Sequence, residues 1–197
     1  ADVWPCFIVG KVGTDLHTTT FDPEVARELT AKVRPYGSYI KGHYTDDVSN
    51  PQEYPLSGMG AANVGPEFTM NEYDALAELE EEEKKLFAEG KIAQLSNMTQ
   101  VLWQCVYESN RWKKWLHGEE VGKDLKECTP ERQLWLVKTG CRYIWQKPEA
   151  LVARQMLYDN LGRLGIHAEE VVLMRIEHNM DKYYRAFNLI DLNDYIK

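Results

Sequence analysis

Two histidines and two aspartates stand where chemistry would gather. His17 and His43 each follow a short apolar run of strand character, residues 6–13 and 39–42, and Asp15 and Asp46 lie close by. A helix-patterned segment separates the two runs. In a parallel sheet, strand–helix–strand returns both strand ends to one edge, so both imidazoles would face one pocket. Neutral imidazole is the commonest metal ligand, and a catalytic zinc takes three protein ligands and keeps a fourth position open. His17 and His43 are therefore candidates for two ligands of a divalent metal, zinc foremost. Asp15 could orient an imidazole from behind, and Asp15 or Asp46 could move a proton. The same imidazoles could instead hydrogen-bond loop carbonyls or line a polar pocket, and the spacing leaves both readings open.

A second constellation is the run Leu-Ser-Gly-Met-Gly-Ala-Ala-Asn-Val-Gly-Pro-Glu-Phe-Thr over residues 56–69. Around Ser57, Gly58 and Gly60 the backbone N–H groups can approach an anion, and a helix opening near Thr69 adds a positive dipole end. Such a site suits a sugar phosphate. It is not a Walker motif, since GxxxxGK[ST] is absent, and an ordinary glycine-bearing loop is the alternative. Lys11 and Lys41, read within the strands, lie away from the C-terminal strand ends where barrel chemistry collects, which disfavours a Schiff-base role. His117, His167 and His178 read as surface or capping residues. Trp103, Trp112, Trp115, Trp135, Tyr143 and Trp145 recur at helical spacing and predict core, not a sugar platform. Lys113 and Lys114 read as solvated.

The elements that must position these residues follow from local pattern. Asp22 can cap a helix with Pro23 in its first turn, Val25, Ala26, Leu29 and Val33 form its apolar face, and Pro35 and Gly37 end it. A strand over 38–42 follows, then a long irregular segment to Gly60, of the kind that carries function. A third short strand spans 61–64. Thr69 is expected to cap a helix over 70–87, with the acidic run at 80–83 as its solvated face. From Ser96, read as a helix cap, helical patterns dominate, including a short helix over 111–117 ended by Gly118. The strands read as buried on both faces, and three cannot close a barrel that needs eight. The fold class is therefore α/β: over residues 1–90 the C-terminal part of a (β/α)8 TIM barrel, about three parallel strands, and over 91–197 an α-helical extension.

Composition bounds the function. At 197 residues the chain can bury a sizeable core, and a net charge of −8 argues against nucleic acid. Four scattered cysteines show no structural zinc spacing, and Cys6 and Cys105 in apolar runs read as buried free thiols. No apolar run is long enough for a bilayer and no signal peptide is evident, which points to a cytoplasmic protein without membrane partners. The first residue is not Met, so a removed leader or a longer parent chain is expected.

Three blocks resemble the last three strands of class II aldolase-like barrels: Phe-Ile-Val-Gly-Lys-Val-Gly-Thr-Asp-Leu-His at 7–17, Gly-His-Tyr-Thr-Asp at 42–46 and Ala-Asn-Val-Gly-Pro-Glu-Phe-Thr at 62–69. The resemblance is to the non-catalytic (Z-type) subunits of D-tagatose-1,6-bisphosphate aldolase, formerly annotated tagatose-6-phosphate kinase. Arg-Trp-Lys-Lys-Trp-Leu-His-Gly-Glu at 111–119 and Cys-Arg-Tyr-Ile-Trp at 141–145 are similar to their helical segment. The resemblance implies that His17 and His43 occupy the places of zinc-binding histidines, with a third ligand upstream of Ala1. It implies that Asn63 occupies a place that helps hold substrate phosphate. The stretch Tyr44-Thr45-Asp46-Asp47 departs from the aldolases' Gly-rich segment. Two roles are thereby implied: a partner that stabilises a class II aldolase catalytic subunit, or a metal-dependent ketose or ketose-phosphate aldolase or 4-epimerase acting by itself. Either implies tagatose or galactitol metabolism and a homo- or hetero-oligomer.

Overall fold

The computed structural model describes residues 4–15 and 18–196, so His17 lies outside the described residues. The chain falls into two compact units. One joins the chain up to Glu67 to the stretch from His178 onward, and the other is Phe68–Glu177.

The first unit contains β1 (Phe7–Gly10), α1 (Pro23–Val33), β2 (Tyr39–Gly42), a one-turn helix α2 (Glu53–Leu56) and β3 (Ala61–Ala62). Asp22 caps α1 as its sequence foretells: its Oδ1 accepts from the N–H groups of Glu24 and Val25 at 3.0 and 3.1 Å. Gly37, at φ 71°, turns the chain back toward the sheet. The sheet has the order β1-β2-β3 and is parallel throughout, with Phe7 opposite Tyr39, Gly10 opposite Gly42 and Lys41 opposite Ala61. Side chains alternate between its faces. Ile40 is buried, and Gly42 on the same face must be glycine, because a Cβ there would lie 2.7 Å from the Tyr54 ring.

The opposite face corrects an expectation. Phe7, Val9 and Tyr39 are 45, 61 and 50% exposed, so the strands are not buried on both faces. The strands are also shorter than their apolar runs. Lys11 lies beyond the end of β1, not within it, and Cys6 is exposed, unlike buried Cys105.

The second unit is helical: most of α3 (Pro66–Ala88), then α4 (Met98–Ser109), α5 (Pro130–Gly140), α6 (Pro148–Gly162) and the first half of α7 (Ala168–Ala186). Its core gathers Leu76, Met98, Leu102, Trp112, Leu136 and Leu157, each 0–1% exposed. Gly140 lets α5 press on α4, since a Cβ there would lie 2.6 Å from Val106 Cγ1. The segment after α4 is a 3-10 turn over Arg111–Trp115, not a helix running to Gly118.

Three local expectations fail in the helices, each for a tertiary reason. Helix α3 begins at Pro66, not after Thr69, because Asp46 arrives from the β2 loop and accepts from the Gly65 and Glu67 N–H groups at 2.8 Å. Glu80 and Glu83 are 2 and 0% exposed, so only part of the acidic run is solvated. Ser96 does not cap α4. It donates from N–H and hydroxyl to Glu83, and Asn160 Nδ2 donates to the same carboxylate at 2.6 Å. Among the described residues no helix is long and apolar enough to cross a membrane.

Candidate functional site at the C-terminal strand ends

Parallel pairing brings the C-terminal ends of all three strands to one rim, and side-chain and backbone bonds stitch the loops there. Thr14 donates from Oγ1 to the His43 carbonyl at 3.0 Å, joining the β1 and β2 loops. Thr45 N–H donates to the Asn63 carbonyl at 2.9 Å, joining the β2 and β3 loops. Asn50 exchanges two 3.1 Å bonds with the backbone of Phe21. Tyr44 and Asp47 take left-handed backbone angles, φ 57° and 52°, and so fold the His43 loop tightly.

His43 is exposed at this rim, its ring 4.2 Å from that of Tyr44. Asp15 is half-buried in the adjoining loop, with its N–H on the Thr18 carbonyl at 3.0 Å. The rim thus brings His43 and the loop of Asp15 together, while His17 belongs to the undescribed positions. Among the described residues no three His, Cys, Asp or Glu side chains are grouped to hold a metal ion.

Asp46 has a structural task. Its Oδ1 is engaged by two N–H groups at the start of α3, where the helix dipole also favours a carboxylate. The Ser57, Gly58 and Met59 N–H groups donate within the turn around α2, and Gly60 N–H donates to the Ile40 carbonyl at 2.9 Å. The amides that a phosphate would need are therefore already bonded. Ser57 is 3% exposed, and its hydroxyl has no partner among the described residues. Asn63 is exposed, with its backbone spent on Gly42 and Thr45.

Sequence reasoning missed the strongest polar cluster of the unit. Glu67, 4% exposed, accepts from the Asp47 N–H at 2.7 Å, from Lys182 Nζ at 2.6 Å and from the Tyr183 hydroxyl. Tyr183 also bonds the Thr45 carbonyl at 3.1 Å. Burial by itself would raise the Glu67 pKa, but the Asp47 amide, Lys182 and Tyr183 outweigh it and hold the carboxyl below its ordinary range. Asp47 keeps more than a third of its surface in solvent. Even so, packing around its carboxyl and the neighbouring Glu67 charge push its pKa up to about 6. Burial and then Glu67 raise the Tyr183 phenol. The partners are 116 residues apart in the chain, so no local pattern announces them.

A parallel strand–helix–strand sheet with its polar loops gathered at one rim, in a chain otherwise dominated by helices, defines the class: an α/β protein with a small parallel sheet. A family model described as D-tagatose-1,6-bisphosphate aldolase subunit GatZ/KbaZ-like matches residues 9–186. The chain belongs to this family and is a D-tagatose-1,6-bisphosphate aldolase subunit of carbohydrate metabolism, as the three sequence blocks imply. No curated protein matches it significantly.

Proposed function

We propose that this subunit works by binding and stabilising a class II aldolase catalytic subunit, and that its sheet is the C-terminal part of a (β/α)8 barrel. The observation that carries the first part is the engagement of the rim's polar groups. Asp46 holds the start of α3, the glycine-loop amides are bonded internally, and Glu67 is enclosed by Lys182 and Tyr183. Asp46, the glycine-loop amides and Glu67 thereby support the architecture of the rim. The exposed sheet face at Phe7, Val9 and Tyr39 supports the barrel reading, since a barrel interior covers that face with further strands. The expected setting is the cytoplasm. The test is sedimentation velocity of the purified chain mixed with a class II tagatose-bisphosphate aldolase catalytic subunit. A co-sedimenting complex is expected, and independent sedimentation of the two would overturn the reading.

A second reading has one favourable observation. The Thr14–His43 bond ties the loop that carries Asp15 to the loop that carries His43. In this reading His17 and His43 hold a divalent metal, zinc foremost, and act on a ketose or ketose phosphate. Turnover of a ketose phosphate by the chain alone, dependent on added zinc and abolished by His43→Ala, would establish it in place of the first.

A further inference from the structure

Three cations converge on one tyrosine of the helical unit. Lys114 Nζ lies 4.4 Å from the Tyr143 ring centroid, Arg142 Cζ 5.4 Å and Arg111 Cζ 5.7 Å. Lys114 also donates to the Tyr143 hydroxyl and sits 4.5 Å from the Trp115 ring centroid. All three cations and Tyr143 are exposed. Among the described residues none of the three forms an ion pair, whereas Arg132, packed on neighbouring Trp135, is paired with Glu120 at 2.9 Å.

Three like charges around one ring repel one another. The ring's negative face offsets part of that repulsion. An opposing anionic surface offsets more once it excludes water. The rings also hold the cationic side chains in place, so docking orders little that is not already ordered. The surrounding sequence shares this polarity. Residues 103–147 carry nine Lys or Arg against six Asp or Glu, in a chain whose net charge is −8. The remainder of the chain is therefore strongly acidic. Its exposed carboxylates include Glu28, Glu169 and Glu170, none in an ion pair among the described residues.

We propose that this cation–aromatic face docks an acidic protein surface supplied by a second copy of this chain. The complementary charge is on the same polypeptide. The contact is heterologous, with the face of Tyr143 on one copy meeting acidic surface on the other. It goes beyond the aldolase-subunit reading and does not depend on it.

Sedimentation velocity of the full chain tests it, at about 50 µM protein and in roughly 50 mM and 500 mM sodium chloride, where screening lengths differ about threefold. A species of at least dimer mass is expected at low salt and the monomer at high salt. Arg111→Glu with Arg142→Glu is expected to be monomeric in both, with an unchanged circular dichroism spectrum. Should that variant fail to fold, Arg111→Gln with Arg142→Gln is expected to weaken self-association about tenfold or more. A wild-type chain that is monomeric at low salt overturns the proposal, including when the same variants abolish binding to an aldolase subunit. Self-association that survives both high salt and the folded variant overturns it as well.

Discussion

Glu83 of the helical unit and Glu67 of the sheet unit are both buried carboxylates, and their partners differ in kind. In the helical unit Glu83 is fully buried and accepts from neutral donors: the Ser96 amide, the Ser96 hydroxyl and Asn160 Nδ2. In the sheet unit Glu67 accepts from an amide and a phenol, and also from the Lys182 ammonium, with Asp47 as an acidic neighbour. A carboxylate held by neutral groups acts as a staple, and here Asn160 Nδ2 also donates to the Gln94 carbonyl at 2.9 Å. A carboxylate placed between a cation and a second acid is linked to pH. The sheet unit therefore holds its rim loops with a titratable clasp.

The comparison breaks most severely at Glu83. Glu83→Ala strands the buried Ser96 amide and hydroxyl and leaves Asn160 Nδ2 with the Gln94 carbonyl alone, and is expected to cost about 3–4 kcal/mol, read as a lowered denaturant midpoint. Glu67→Ala is expected to cost about 2–3 kcal/mol, less because Lys182 remains 38% exposed and regains water. If Glu67→Ala proves the more damaging, the contrast between staple and clasp fails. Asp46→Ala removes the cap that starts α3 and is expected to cost about 1 kcal/mol.

Asp47 sharpens the contrast through pH. Its pKa stands at about 6 against an ordinary 3.8, so the folded state disfavours its charge. Its contribution to stability is fully present below 3.8 and is lost as pH rises through about 6. Asp47→Asn mimics the protonated form. It is expected to raise stability by about 1 kcal/mol above pH 7, a figure discounted because the side chain is partly solvated, and to change nothing below about pH 4. Glu67 has the opposite sign. Its lowered pKa gives stability that is present above the ordinary carboxylate range and is lost on acidification. A thermal melting series from about pH 2 to 8 on the parent and Asp47→Asn separates the two.

The sequence was legible where structure is local. Asp22 and Pro23 start α1 because cap and first turn are adjacent, and the order of the three parallel strands follows from their spacing. Thr69 misled because the true cap of α3, Asp46, comes from another loop. The acidic run was read as one solvated face. Yet Glu80 and Glu83 share a helix face with Leu76 and Leu79 by their spacing, and that face is buried. Glu67 with Tyr183, and Glu83 with Asn160, meet only after folding, from 116 and 77 residues apart. Of the candidate site, sequence placed His43 and Asp46 at the rim. It did not show that the Asp46 carboxylate and the amides of Gly58 and Gly60 are already bonded.

The most direct test of the subunit role is the thermal half-life of a class II tagatose-bisphosphate aldolase catalytic subunit, measured with and without an equimolar amount of this chain. A half-life lengthened several-fold is expected, with no ketose bisphosphate cleavage by the chain alone. An unchanged half-life together with zinc-dependent cleavage by the chain alone would contradict it.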